Sequence, residues 1–155
     1  MNSKSLDRID RKILRTMQDD GRLTNLQLAE RISLSPTATA ERLKRLTRDG
    51  YILGYQAMLS PEKFDLGMLV YVEVKLDRTT PDVFDEFATA IRKADEVMEC
   101  HMVAGGFDYL IKARVKGMDT YRSFLSDVIL SLPGIRETHT YAVMEEIKNT
   151  DKLPV

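Results

Sequence analysis

The stretch from residue 24 to residue 50 leaves the chain little choice of local fold. Thr24-Asn25-Leu26-Gln27 has the form of a capping box, in which the threonine hydroxyl and the glutamine side chain each accept from the other residue's main-chain N–H. Ser35-Pro36 is a second helix start. Serine is a favoured N-cap, and proline suits the first helical position because its missing N–H would be unpaired there anyway. Only Ser33-Leu34 separates the end of one helix from the start of the next. The second helix runs to about Asp49, where Gly50 supplies a left-handed stop. Two helices so closely joined predict a helix-turn-helix. Upstream, Leu6, Ile9, Ile13, Leu14 and Met17 recur at helical spacing and predict a first helix, capped by Ser5 or Asp7 and ended before Gly21.

After Gly50 the period changes. Residues 51–59 read as a short β-ribbon with Gly54 at its turn, and Ser60-Pro61 breaks the chain. Beyond the break, Val70, Val72, Val74 and Leu76 alternate with polar residues as in a half-buried strand. Thr80-Pro81 opens a helix with Val83, Phe84, Phe87, Ala88 and Ile91 on its inner face. A strand over 97–103, a loop over 104–107 and a strand over 109–115 follow. A helix over 121–132, stopped by Pro133-Gly134, and a strand over 135–145 complete the order. The order β-α-β-β-α-β is that of the ferredoxin-like split βαβ arrangement. The expected class is therefore α+β, with a winged helix-turn-helix domain over 1–59, a linker over 60–66 and a ferredoxin-like αβ-sandwich over 67–155. Two helices cover one sheet face and leave the other bare, so a homo-oligomer is expected.

Composition narrows the function classes. The 155 residues hold one cysteine, Cys100, and two histidines, His101 and His139, which exclude an internal disulfide and a cysteine-based zinc knuckle and leave no metal or cofactor expected. No apolar run approaches the length of about 20 residues needed to span a bilayer. Met1-Asn2-Ser3-Lys4-Ser5 leads straight into charged sequence without the apolar core of a leader, so the reading is a soluble cytoplasmic protein without a membrane partner. The net charge of −1 conceals an asymmetry: residues 1–60 hold 11 Lys and Arg against 7 Asp and Glu, and residues 61–155 hold 12 against 17. A basic first part suits a polyanion.

The helix after Ser35-Pro36 is the candidate reader of double-stranded DNA. Ala40, Leu43 and Leu46 are placed on its inner side. Arg42, Lys44, Arg45 and Arg48 are placed outward, for phosphate or for bidentate pairing with guanine. Ser35, Thr37, Ala38, Thr39 and Glu41 sit at the N-terminal end, which approaches base edges in helix-turn-helix proteins.

Several segments together resemble the Lrp/AsnC (feast/famine) transcription regulators. They are Leu6-Asp7-Arg8-Ile9-Asp10-Arg11-Lys12-Ile13-Leu14, Asp20-Gly21-Arg22-Leu23-Thr24-Asn25, Leu34-Ser35-Pro36-Thr37, Glu99-Cys100-His101-Met102-Val103, Phe107-Asp108-Tyr109-Leu110, Leu132-Pro133-Gly134-Ile135 and Thr140-Tyr141-Ala142-Val143-Met144-Glu145-Glu146-Ile147-Lys148. The resemblance spans about residues 6–148 and is strongest to the leucine-responsive branch. It implies a DNA-binding domain, a second domain that pairs through its sheets, and dimers that assemble further into tetramers or octamers. It also implies that a free amino acid, leucine or another branched-chain one first, binds between dimers and controls genes of amino-acid metabolism. The positions implied for that response are Met102, Asp108, Met118, Tyr141, Ala142 and Val143. On chemical grounds Asp108 is expected to pair the ammonium and main-chain N–H groups around Gly105 and Gly106 to meet the carboxylate. Met102, Met118 and Val143 would accept an apolar side chain. Gly106 stands where many relatives carry an acidic residue, and Thr37-Ala38-Thr39 stands where Thr-Pro-Cys is frequent, which bears on the choice of effector and of DNA sequence.

Two other readings compete. One is an enzyme on the same two-domain plan, such as a siroheme decarboxylase, with His101 beside Glu99 and Cys100 as acid–base candidate. Those three alternate along a strand, so Cys100 faces away from the others and no nucleophile, base and oxyanion site is assembled. The other is an amino-acid-sensing module without DNA contact, which leaves the helix-turn-helix without a purpose.

Overall fold

The structure is a computed structural model that describes residues 5–155, so the reading of residues 1–4 lies outside the described residues. The chain forms two compact units. One contains the residues up to Met58 together with Asn149–Val155, and the other spans Leu59–Lys148.

The first unit is three helices, α1 (Arg8–Asp19), α2 (Asn25–Ile32) and α3 (Pro36–Arg48). Asp7 caps α1 in a reciprocal box with Asp10. The Asp10 N–H donates to Asp7 Oδ1 at 2.7 Å, and the Asp7 N–H donates to Asp10 Oδ2 at 3.2 Å. Thr24 and Gln27 make the predicted box at α2. The Ala38 N–H donates to Ser35 Oγ at 3.3 Å to cap α3. The turn between α2 and α3 is closed by Ser33 in the left-handed region, φ 62°, with the Leu34 N–H donating to the Ala29 carbonyl. Gly50, at φ 77°, ends α3, a conformation glycine adopts without a Cβ clash. Ile13, Leu28, Ile32 and Leu46 are the centre of the core.

One charged group is buried among these apolar ones. Asp10 is 1% exposed. Its Oδ1 accepts from Arg42 at 2.8 Å and pairs with Arg45 at 2.5 Å. Arg42 also reaches Asp7 at 2.7 Å. The main-chain N–H of Asp10, and then Arg42, hold the Asp7 carboxyl below its ordinary value. A depressed folded value means stability present at neutral pH and lost as pH falls through the carboxylate range.

Two features differ from the sequence reading. Residues 51–59 form no strand; Leu53, Tyr55, Met58 and Leu59 are exposed, and Ile52 packs against the helical core. A ribbon of that length divided at Gly54 leaves two strands of three or four residues, too short to hold together alone. The C-terminal seven residues, assigned by sequence to the second domain, group with the first unit. They lie along α1: the Leu153 N–H donates to Gln18 Oε1 at 2.6 Å, Lys152 pairs with Asp19 at 2.8 Å, Arg15 donates to the Val155 carbonyl, and the Val155 side chain joins the core.

The second unit is a four-stranded antiparallel sheet of β1 (Met68–Leu76), β2 (Val97–Met102), β3 (Tyr109–Val115) and β4 (Ile135–Ala142), in the order β2-β3-β1-β4. That order, with α4 (Pro81–Ile91) after β1 and α5 after β3, is the ferredoxin-like arrangement expected. The helix α5 begins at Met118, three residues before its predicted start, and after Ser123 widens into a π-type turn over Phe124–Ile129. Val70, Val72, Val74, Ile111, Phe87, Phe124 and Ile129 form the core between helices and sheet. Gly134, at φ 73°, lets the chain pass Val83 so closely that a Cβ would lie 2.7 Å from its Cγ1.

Asp10→Asn is expected to lower the stability of the first unit by about 2 kcal/mol, less than for a fully buried pair because Arg42 and Arg45 keep some access to water. Urea unfolding followed by circular dichroism measures it, and an unchanged midpoint would remove the carboxylate from its structural role.

Candidate functional site

The capping of α3 sets its rotation and therefore which side chains face outward. Thr39 is fully buried, and its hydroxyl donates to the Ser35 carbonyl at 2.9 Å. The buried side of the helix is Thr39 and Leu46, with Arg42, Leu43 and Arg45 half-buried beside them. The exposed side is Thr37, Ala40, Glu41, Lys44, Thr47 and Arg48, spaced at three and four residues along one face. Ser35 is exposed at the helix start and Ala38 is half-buried. Asn25 on α2 braces that start, donating through Nδ2 to the Pro36 carbonyl at 2.8 Å.

Three expected contact residues are therefore reassigned. Thr39 points inward, because a hydroxyl bonded back to the preceding turn can be buried without an unpaired donor. Arg42 and Arg45 hold α3 onto α1 through Asp10 instead of reaching outward. Ala40, expected inside, lies on the outer face. Alanine and threonine are of similar size and weak hydropathy, so periodicity alone left the phase of α3 open by about one residue. The exposed cations on the outer face are Lys44 and Arg48. Arg48 is 72% exposed at its side chain and meets Asp49 at 2.9 Å.

The expected effector residues fall into two groups. Met102 ends β2, Gly105 and Gly106 lie in an exposed loop, and Asp108 precedes β3. All four lie at the end of the sheet where Tyr109 pairs with both Met102 and Val74. Met118, Tyr141, Ala142 and Val143 lie toward the other end, where Ala142 pairs with Val70 and Val115 with Met68. Met102 and Ala142 sit on opposite edge strands, while Asp108 and Met118 flank the inner strand β3. Three strand spacings and four residues of rise separate Met102 from Ala142 by roughly 20 Å, too far for one amino acid to touch both within a single copy. Met102 and Met118 are each 58% exposed.

Asp108 is committed within the fold. Its Oδ2 accepts from the Leu76 N–H at 2.7 Å, its own N–H donates to the Val74 carbonyl, and its carbonyl accepts from Val103. Asp108 therefore closes the β2–β3 loop onto β1, with one of its two carboxylate oxygens committed to that bond. Tyr141 stands on the uncovered sheet face beside Glu73, whose charge holds the phenol above its ordinary value. A depression of about 150 Å³ on that face is lined by Glu73, Lys75, Gly106, Phe107, Glu137 and His139, and Gly106 is its one expected effector residue.

The acid–base candidates do not form a catalytic group. Glu99 accepts from Lys112 at 2.7 Å and meets His101 at 3.1 Å, and these two hold its carboxyl below the usual range. Cys100 lies on the opposite, helix-covered face, where burial pushes its thiol up to about 11 and keeps it protonated at neutral pH. Among the described residues, no cluster of His, Cys, Asp and Glu is arranged to hold a metal ion, and no helix is long and apolar enough to cross a membrane.

Comparison with known proteins places this geometry. Residues 6–52 match a winged helix-turn-helix DNA-binding domain, and residues 69–153 match the Lrp/AsnC ligand binding domain. The chain is 51% identical over 152 residues to the leucine-responsive regulatory protein of Escherichia coli K12, covering 98% of this chain and 93% of that protein. A transcriptional regulator from Neisseria meningitidis, solved in complex with L-Met, superposes with a TM-score of 0.92 at 39% identity over 97% of each chain. The feast or famine regulatory protein of M. tuberculosis, complexed with L-methionine, superposes with a TM-score of 0.85 at 27% identity over 96% of this chain and 99% of that one.

Two substitutions on α3 separate its two kinds of cation. Lys44→Ala is expected to weaken DNA binding and reduce the slope of log affinity against log salt by about 1, the signature of one lost phosphate contact. Arg45→Ala is expected to lower the unfolding midpoint and leave that slope nearly unchanged. A full-sized change of slope in Arg45→Ala would restore it as a phosphate ligand.

Proposed function

Since the chain belongs to the Lrp/AsnC family of DNA-binding transcription regulators, we propose that it binds operators of amino-acid metabolism genes through Thr37, Ala40, Glu41, Lys44 and Arg48, and answers to leucine or another branched-chain amino acid. The observation that carries the reading is the outer face of α3, capped by Ser35 and braced by Asn25, which presents short side chains at its N-terminal end and cations further along. That order suits a helix that brings its N-terminal residues to base edges and its later cations to phosphate. Ser35 and the half-buried Ala38 contribute the rim of that end.

The effector reading rests on the division of Met102, Gly105, Gly106 and Asp108 from Met118, Tyr141, Ala142 and Val143. One small ligand meets both groups only where two copies of the chain bring opposite ends of their sheets together. Effector binding is thereby linked to assembly: the amino acid favours whichever arrangement of copies completes its site. The protein works as a homo-oligomer in the cytoplasm, and several copies in one particle raise avidity for repeated half-sites. Asp108 sets the shape of the loop in this scheme, and the ammonium is left to its second oxygen and to groups of the neighbouring copy.

A second effector, methionine, is favoured by one observation. The two amino-acid complexes described above hold this ligand, and the exposed Met102 and Met118 offer an adaptable thioether surface.

Fluorescence anisotropy on DNA from the gene's own upstream region and from genomic fragments, with each amino acid at millimolar concentration, decides between them. Salt-dependent specific binding is expected, shifted by leucine, isoleucine or valine more than by methionine. A larger shift with methionine selects the second reading. Specific binding that ignores every amino acid would overturn the effector assignment.

A further inference from the structure

A pocket of about 270 Å³ opens between the end of α4 and the edge strand β2, lined by Ala88, Ile91, Arg92, Val97, Cys100 and Tyr109 among others. It is smaller than the pockets of about 300–1,000 Å³ that hold drug-sized ligands, and it suits a small metabolite. It shares no residue with the effector positions discussed above.

Its polar groups are few. Tyr109 is 4% exposed, stacked on Phe87 at 4.2 Å and edge-on to Phe84. Its hydroxyl is shut off from solvent and has no hydrogen-bond partner. A buried hydroxyl left unpaired is unfavourable, and a tyrosine without a partner for its polar end is unusual in a core. Burial, and then the neighbouring Cys100, raise its proton affinity, so it stands as a neutral donor. Arg92, just beyond the last turn of α4, makes no ion pair among the described residues, and it supplies a cation at the pocket's rim.

Acceptors at the rim that could hold an ammonium group are already engaged in bonds. Glu99 is paired with Lys112 and His101. The last carbonyls of α4, those of Ala90 and Ile91, accept from the Lys93 and Ala94 N–H groups. The pocket thus offers a cation, a neutral donor and apolar walls, and the one carboxylate that lines it, Glu99, is already paired.

We propose that this pocket binds a small aliphatic carboxylate bearing an uncharged oxygen next to the carboxyl group, a 2-oxo or 2-hydroxy acid. Arg92 takes the carboxylate, the Tyr109 hydroxyl donates to the adjacent oxygen once the side chains over it shift, and Ala88, Ile91 and Val97 hold the apolar chain. The missing ammonium distinguishes such an acid from the free amino acid of the effector site. The regulator then carries two separate sensors, one for an amino acid and one for its deaminated counterpart.

Calorimetric titration of the full chain with 4-methyl-2-oxopentanoate tests this, with L-leucine as the ammonium-bearing counterpart. Saturable binding is expected that excess L-leucine does not displace. Tyr109→Phe keeps the ring stacking and removes only the hydroxyl; it is expected to weaken binding about tenfold. Arg92→Gln, at the pocket rim, is expected to weaken it at least as much. Absence of saturable binding, equal affinity in both variants and the parent chain, or displacement by L-leucine would each overturn the proposal. Because the two variants lie outside the effector positions, an intact amino-acid response in them separates failure of this site from failure of the effector reading.

Discussion

The carboxylate of Asp10 fixes how the N-terminal helices meet. It takes part in the cap of α1, and the same group anchors Arg42 and Arg45 of α3, so the first turn of one helix is tied to the middle of another. A buried charge is costly unless its oxygens are satisfied, and here they are met by a main-chain N–H and two guanidinium groups. Ion pairs of this kind contribute direction more than net stability. They hold α3 in one rotation, with Thr39 and Leu46 inward and Ala40, Lys44 and Arg48 outward. A helix that rolled by one residue would present a different set of side chains to DNA.

The second unit follows a different constraint. Its strands alternate with a two-residue period, broken by register shifts at Lys75/Leu76 and Val97/Glu99, so a residue's face is decided by the register of four strands. The helix-covered face receives Val70, Val72, Val74, Cys100 and Ile111. The other receives Glu73, Lys75, Glu99, His101, Lys112, Glu137, His139 and Tyr141. That face is left uncovered by the helices, and the proposed effector positions lie toward opposite ends of the sheet. The same alternation places Cys100 away from Glu99 and His101 and dissolves the apparent acid–base trio.

Much of this was legible in the residues. The capping box at Thr24 and the cap at Ser35 depend on contacts three residues apart, and the stop at Gly50 depends on a single backbone conformation, so these could be read directly, while the cap of α1 stayed open between Ser5 and Asp7. The order βαββαβ emerged from changes of hydropathy period. The number and order of short motifs pointed to the Lrp/AsnC family, to which the whole chain proves similar. Less legible was the phase of α3, because Thr39 and Ala40 differ too little in hydropathy to place one inside. The partners of Arg42 and Arg45 lie more than thirty residues away, and no local pattern announces them. The same distance hid the return of Leu153 and Val155 to α1. The local reading of residues 51–59 as a ribbon failed for a related reason: alternation describes a strand only when another strand is there to pair with it.

The sequence by itself therefore determined the elements, their order and the family, since caps, turns and hydropathy periods act between near neighbours along the chain. The tertiary structure alone decided which basic side chains remain available to DNA, what Asp108 is bonded to and where an unpaired hydroxyl lies against a pocket. Those outcomes depend on which distant groups compete for the same partner. A carboxylate at residue 10 removes two arginines from the outer face, and a main-chain N–H at residue 76 occupies an oxygen of Asp108. Such competition is settled only when the folded chain brings the groups within hydrogen-bonding distance.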